Sequence, residues 1–184
     1  MPNEEAPDPA NRLGPIGGEL SLRPIAIVPE ELSPGLLAAL VTLNNNHAIE
    51  LSWADEARMR GLVGSAFHAE RIGMVDALLI AFDQLADYDS RNFLWFRDHY
   101  ASFVYVDRVV TAPRARGRGL ARILYDRLIA RTRAAGHERI VCEINASPPN
   151  PASEAFHRKL GFSPVGAAEL EGGKAVIYFE LQLT

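Results

Sequence analysis

The densest chemistry in the sequence lies in one turn. Residues 109–122 read Val109-Val110-Thr111-Ala112-Pro113-Arg114-Ala115-Arg116-Gly117-Arg118-Gly119-Leu120-Ala121-Arg122. The segment leaves an apolar, β-branched run, turns at two glycines and opens a helical pattern. Glycines at 117 and 119 remove side chains where backbone N–H groups must approach a ligand, and a helix N-terminus adds partial positive charge. Together these make a pyrophosphate cradle. Arg116, Arg118 and Arg122 can add charge-assisted bonds, and Ala121 keeps the first helical turn low. A P-loop would need a Gly-Lys-Ser/Thr ending and a dinucleotide fingerprint a third glycine at 122, so both are excluded. Taken alone, the same letters also describe a glycine turn before an exposed, arginine-rich helix.

A second constellation lies downstream. Asn150 and His157 are seven residues apart, with Pro151 at the first helical position, so a capping Asn150 and His157 share one helix face. An imidazole of ordinary pKa, ~6.5, can donate a proton near neutrality, while a structural histidine would bond only to water or backbone. The single cysteine, Cys142, sits in the apolar run Ile140-Val141-Cys142 and reads as a small buried hydrophobe. No metal site is expected.

The bulk numbers set the frame for these residues. A chain of 184 residues with 48% apolar and 23% charged content supports one well-buried core, expected over 20–184, behind a flexible tail at 1–19 that is rich in proline and glycine. No apolar run approaches the ~20 residues of a membrane span, and the acidic opening MPNEEAPDP lacks the basic start of a secretory signal. The expected location is cytoplasmic, with no membrane partner. A net charge of −4 weighs against nucleic acid, yet nine of the nineteen Lys and Arg fall between Arg108 and Arg139. Local basicity in an acidic protein suits a small polyanion. RNA binding through Arg-Gly-Arg-Gly, which would show steep salt dependence, rests on one short motif.

The elements that must position these residues follow from periodicity. Residues 20–28 read as a first strand, demoted to an edge or bulged position by Pro24. Pro29 and Ser33 both offer starts for a helix with Leu36, Leu37, Leu40 and Val41 on its apolar spacing, and Asn44, Asn45 and Asn46 mark a turn or a polar site. Ser52 is expected to cap a second helix over 53–63, with Ala57, Leu62 and Val63 inward and Gly64 as its stop. Residues 67–72 and 76–82 make a hairpin near Gly73, and Phe93, Trp95, Phe96 and Tyr100 belong to a short helix over the sheet or over a pocket. Residues 103–111 form the best central strand. A long helix then runs from Leu120 to a stop at Gly136, followed by a strand at 139–144, a helix at 151–160 and two strands at 162–170 and 175–183. Strands and helices interleave as in an α/β fold.

Arg116-x-x-Gly119-x-Ala121, after a strand and Pro113, resembles the acetyl-CoA motif of the GNAT acetyltransferases. Residues 150–162, an Asn followed by His157 and then Gly161-Phe162, resemble that family's second signature, which commonly carries a tyrosine where this chain has His157. Leu43 to Trp53 and the Tyr105 to Val110 strand are similar to a bacterial subgroup of predicted acetyltransferases. The resemblance implies a mixed central sheet of about seven strands, helices on both faces, and a V-shaped splay between the strands ending near Thr111 and Asn145. It implies acetyl-CoA as cofactor. Val109, Val110 and Thr111 would pair with pantetheine amides, as an edge strand pairs with a peptide. Gly117 to Arg122 would hold the pyrophosphate, with Asn150 and Ser153 on the facing helix.

The resemblance further implies direct acetyl transfer to a primary amine of a small molecule or peptide. Glu143 is then the candidate general base and His157 the general acid, with Asp107 as substitute base. A strand glutamate facing solvent or a salt bridge is the competing reading of Glu143. Asn45, Glu50 and Tyr100 flank the acceptor side by position. A noncatalytic acyl-CoA-binding or sensing module is the alternative to an enzyme, and the last strands can pair across a homodimer.

Overall fold

A computed structural model describes residues 23–183. The tail expected at 1–19 and the first three residues of the expected first strand lie outside them. The described residues form a seven-stranded sheet in the order β1-β2-β3-β4-β5-β7-β6. β1 (Pro24–Ala26), β2 (His68–Ile72), β3 (Ala77–Asp83) and β4 (Val104–Thr111) run antiparallel to their neighbours, and β4 pairs in parallel with β5 (Arg139–Ser147). β7 (Ala175–Gln182) inserts between β5 and β6 (Ser163–Glu169), so of the last two strands only β6 keeps an open edge. Pro24 does sit on the other edge, where its missing N–H costs no ladder bond.

β3 explains the layering. Its residues from Ala77 to Phe82 are all buried, so both faces of the sheet are covered. α5 (Leu120–Ala134) lies across β2 to β5, and α1 (Pro34–Asn45) packs with α3 (Glu56–Ser65), which also meets β3. α4 (Arg91–His99) buries Phe93 and Phe96 and stacks Trp95 on Tyr178 with ring centroids 4.2 Å apart. Gly166 belongs to that contact, because a Cβ there would sit 2.8 Å from the Trp95 ring. The aromatic cluster is thus core, and α6 (Pro151–Leu160) completes the fold.

Three local expectations need correction. Ser52 does not open the next helix; it ends a short turn, α2 (Ala48–Leu51), as its C-cap with φ 65, and Asp55 caps α3 by accepting from the Arg58 N–H at 2.7 Å. An acidic cap two residues before Ala57 shifts the helix register. Met59 therefore joins Leu62 and Val63 inside while Ala57 is exposed, and the helix passes Gly64 to end at Ser65. β5 also runs past Ile144 to Ser147, because β7 continues to pair with it.

Candidate active site

The cradle is built as its glycines require. Gly117 and Gly119 both hold φ 74, a left-handed conformation that is costly for other residues, and a Cβ at either would meet nothing within 4 Å. Gly119 is the N-cap of α5 and carries no capping side chain, so the N–H groups of the first turn are left to a ligand. A groove of about 570 Å³ runs from this turn along β4, lined by Val109, Val110, Thr111, Arg116, Gly117, Ala121, Asn150 and Ser153. Arg118 is exposed at the turn. Leu120 is buried in the core, so its side chain takes no part in the cradle and only its backbone faces the helix end. Arg122 is likewise turned away, donating to Asp126 at 2.8 Å one turn along α5.

The groove exists because two parallel strands separate. β4 and β5 pair only at Val104↔Ile140 and Tyr105↔Val141. Beyond that point β4 keeps its β3 partner and β5 its β7 partner, each on the outer edge, and the N–H and C=O groups of 106–111 facing β5 lose a strand partner. The register of β4 against β3 skips Asp107, since Ile80 opposes Arg108 and Ala81 opposes Val106. This bulge re-aims Asp107 at the point of separation. A throat of about 70 Å³ there is lined by Asp107, Tyr125, Cys142, Glu143 and His157, among others. It shares Glu50, Leu51, Asp107 and Glu143 with a further cavity of about 420 Å³ on the side away from the cradle.

Glu143 and Asp107 meet at this junction. Burial pushes the Glu143 carboxyl up to about 7, the Asp107 charge adds to the rise, and nearby Tyr105 and Asn92 temper it. Glu143 Oε2 is buried without a hydrogen-bond partner, as is Asp107 Oδ2, which lies 3.1 Å from Arg108 Nε without hydrogen-bond alignment. The other Asp107 oxygen accepts from Tyr88 Oη at 2.6 Å. Burial also raises the Asp107 carboxyl, against the pull of Arg108 and Tyr88. Each carboxylate thus keeps one oxygen without a hydrogen bond, but Asp107 is also engaged by the Tyr88 hydroxyl and the Arg108 ion pair, whereas Glu143 makes no salt bridge among the described residues.

His157 is 3% exposed and fixed at both nitrogens. Nδ1 lies 2.8 Å from the Ser153 carbonyl, which can only accept, so Nδ1 carries the proton. Nε2 then accepts from the Tyr125 hydroxyl at 2.7 Å. Burial lowers the His157 pKa and pushes that of Tyr125 well up, so the imidazole is neutral and the phenol protonated near pH 7. The proton at this end of the throat therefore sits on Tyr125, which in the sequence is only the single aromatic of the helix at 120–134. Asn150 caps α6 as its spacing predicts, accepting from the Ser153 N–H at 3.1 Å, and lines the groove with His157. Cys142 is buried beside them, its thiol pushed up by desolvation.

The acceptor-side residues divide. Glu50 lines the groove, the throat and the outer cavity. Asn45 does not reach the site, because its side-chain amide is spent on the backbone of Ala54, donating to the carbonyl and accepting from the N–H. Tyr100 is also displaced: it donates to Glu180 at 2.7 Å and carries Arg139 over its ring, beside the end of the sheet where β4 and β5 still pair. Asn44 and Asn45 thus end α1, and Asn46 begins the turn that follows. Arg108, unremarked in the sequence, holds that turn against the site by donating to Leu51 O at 2.7 Å, Ser52 O at 3.1 Å and Asn44 Oδ1. Arg108→Met should destabilise the fold by about 2–3 kcal/mol, the cost of stranding these buried acceptors and Asp107. Urea unfolding would measure it, and a change under 1 kcal/mol would mean the turn stands without the arginine.

Comparison with known proteins follows the same lines. Residues 73–162, which carry β3, β4, α5, β5 and α6, match the Acetyltransferase (GNAT) family. No curated protein matches the chain in sequence. Among solved structures, the ribosomal-protein-S18-alanine N-acetyltransferase of Escherichia coli superposes with TM-score 0.63 at 16% identity, covering 88% of this chain and 94% of that one. Arabidopsis thaliana NAA60, solved in complex with acetyl-CoA, gives 0.65 at 13% identity over 88% and 98%. An N-acetyltransferase from Staphylococcus aureus Mu50 gives 0.61 at 18% identity over 88% and 98%. The splayed strands, the glycine turn and these likenesses agree: residues 73–162 match the GNAT acetyltransferase family, and the chain has the fold of the GNAT acetyltransferases.

Proposed function

We propose that this protein is an N-acetyltransferase that moves an acetyl group from acetyl-CoA to a primary amine of a small molecule or peptide by direct attack. The observation that carries the proposal is Glu143, a buried carboxyl with a free oxygen and a pKa of about 7, placed at the throat between a phosphate-suited groove and a second cavity. A base matched to neutral pH can take a proton from an ammonium or an attacking amine, which an ordinary carboxylate near pKa ~4.3 does poorly.

Acetyl-CoA fits the residues present. The uncapped N-terminus of α5 and the open space over Gly117 and Gly119 receive the pyrophosphate, Arg116 adds charge, and the unpaired edge of β4 at 106–111 takes the pantetheine amides. When bound, it supplies an activated acyl thioester. Glu143 then deprotonates the amine, directly or through water, with Asp107 raising its basicity. Tyr125 is the acid, held ready by His157: its hydroxyl, donated to His157 Nε2 at rest, turns to the departing thiolate, its O–H bond breaks as the S–H bond forms, and the phenolate is reprotonated through water by the proton that Glu143 took from the amine. His157 alone, neutral and donating to Ser153, has no proton aimed into the throat.

The cofactor half is tested at Ala121, which is partly exposed in the first turn of α5 and lines the groove. Ala121→Glu places an anion against the pyrophosphate and should raise the calorimetric Kd for acetyl-CoA at least about tenfold. An unchanged Kd would place the phosphates elsewhere. The transfer half is tested by assaying amines for acetyl acceptance, and failure of every amine to accept would leave an acyl-CoA-binding module.

A further inference from the structure

The outer cavity is electrically polarised. Two of its ion pairs are internal, Arg108 with Asp107 at 3.1 Å and Arg91 with Glu171 at 2.7 Å. Of the charged side chains that remain, Glu50 and Glu143 also line the throat, whereas Arg58 and Lys174 line the outer cavity and not the throat, Arg58 bordering a small cavity beside Tyr88 as well. Negative charge therefore sits at the throat, where the amine must arrive, and positive charge on the outer wall beside it, Arg58 near enough to pull the Asp107 carboxyl down. Neither cation is committed. Lys174 makes no ion pair among the described residues, and Arg58 reaches only Asp89 at 3.6 Å, with side chains 46% and 90% exposed, a pair that water largely screens. Arg58 is nevertheless held in place, its guanidinium 5.2 Å over the Tyr88 ring whose hydroxyl bonds Asp107.

Resting on the transferase reading above, we infer that the acceptor is a free amino acid, its amine turned to Glu143 and its carboxylate to Arg58 and Lys174. A volume of about 420 Å³ suits a molecule of that size, and Leu51, Trp53 and Leu170 give its side chain an apolar wall. A polyamine would set a second ammonium against two cations. A peptide would place an uncharged amide where the carboxylate belongs, leaving Lys174 without a counter-charge.

Matched acceptors decide the point. Each standard amino acid is compared with its amide and its decarboxylated amine, as leucine with leucinamide and 3-methylbutylamine, by kcat/KM and by calorimetric titration into the CoA-loaded protein. At least one acid should exceed both counterparts about tenfold or more in each measurement, the range of a charge-assisted contact. Lys174→Met should shrink that ratio about tenfold through KM rather than kcat. If amides or amines match their acids throughout, the inference is overturned while acetyl transfer stands. If an acid binds in preference to its amide but no amine is acetylated, the pocket assignment holds and the transferase reading falls.

Discussion

Glu143→Gln should lower kcat/KM about 10²–10³-fold and stabilise the protein above neutral pH in the same stroke. The wild-type profile of kcat/KM should rise about tenfold per pH unit below 7 and bend near 7, where Glu143 loses its proton. The mutant should show no bend there, only the titration of the amine itself. Stability runs the other way. Below pH ~4.5 Glu143 is protonated whether the chain is folded or not; between there and about 7 the unfolded chain ionises while the native carboxyl keeps its proton, so native stability falls as pH rises through that window. The loss is on the order of 3 kcal/mol and is complete above pH 7. A neutral glutamine avoids it, so the mutant's Tm should exceed wild type at pH 8 and match it near pH 4. Such opposition of activity and stability is what a desolvated base costs the fold. A mutant with full activity, or one destabilised at pH 8, would remove Glu143 from the chemistry.

The acid end should respond differently. His157→Phe keeps the ring volume and removes the acceptor that fixes the Tyr125 hydroxyl, and Tyr125→Phe removes the proton itself. Both should lower kcat on the order of 10²-fold while changing the Kd for acetyl-CoA far less, since neither residue lies at the phosphate end of the groove. Because the two residues act as one unit, the double mutant should be hardly slower than either single mutant. Multiplied losses would show two independent roles. Equal turnover in His157→Phe would end the assignment of this pair as the acid.

What the sequence makes legible divides by range. The glycine turn, the Asn150 cap, the strand at β4 and the stop of α5 rest on backbone conformation and periodicity, which neighbouring residues determine, and they stand where the letters place them. The partners of the chemical groups come from long-range packing. Tyr125 reaches His157 from another helix, Tyr88 reaches Asp107 across nineteen positions, and Arg108 reaches Asn44 across sixty-four. No local pattern encodes such meetings. Asn45 and Tyr100 mislead for the same reason, since their places near the acceptor side in sequence say nothing of the backbone and side-chain partners that draw them away. The register of α3 failed locally instead: Ser52 and Asp55 are both good caps, and the later one prevailed.

The central claim is that Glu143 stands between a thioester and an amine. Incubating the protein with acetyl-CoA, titrating primary amines, and following thiol release together with the mass of the amine tests it most directly. The account predicts release that depends on the amine, a stoichiometric N-acetylated product, and loss of both in Glu143→Gln. Acetyl-CoA that binds the protein and stays intact with every amine offered would contradict it.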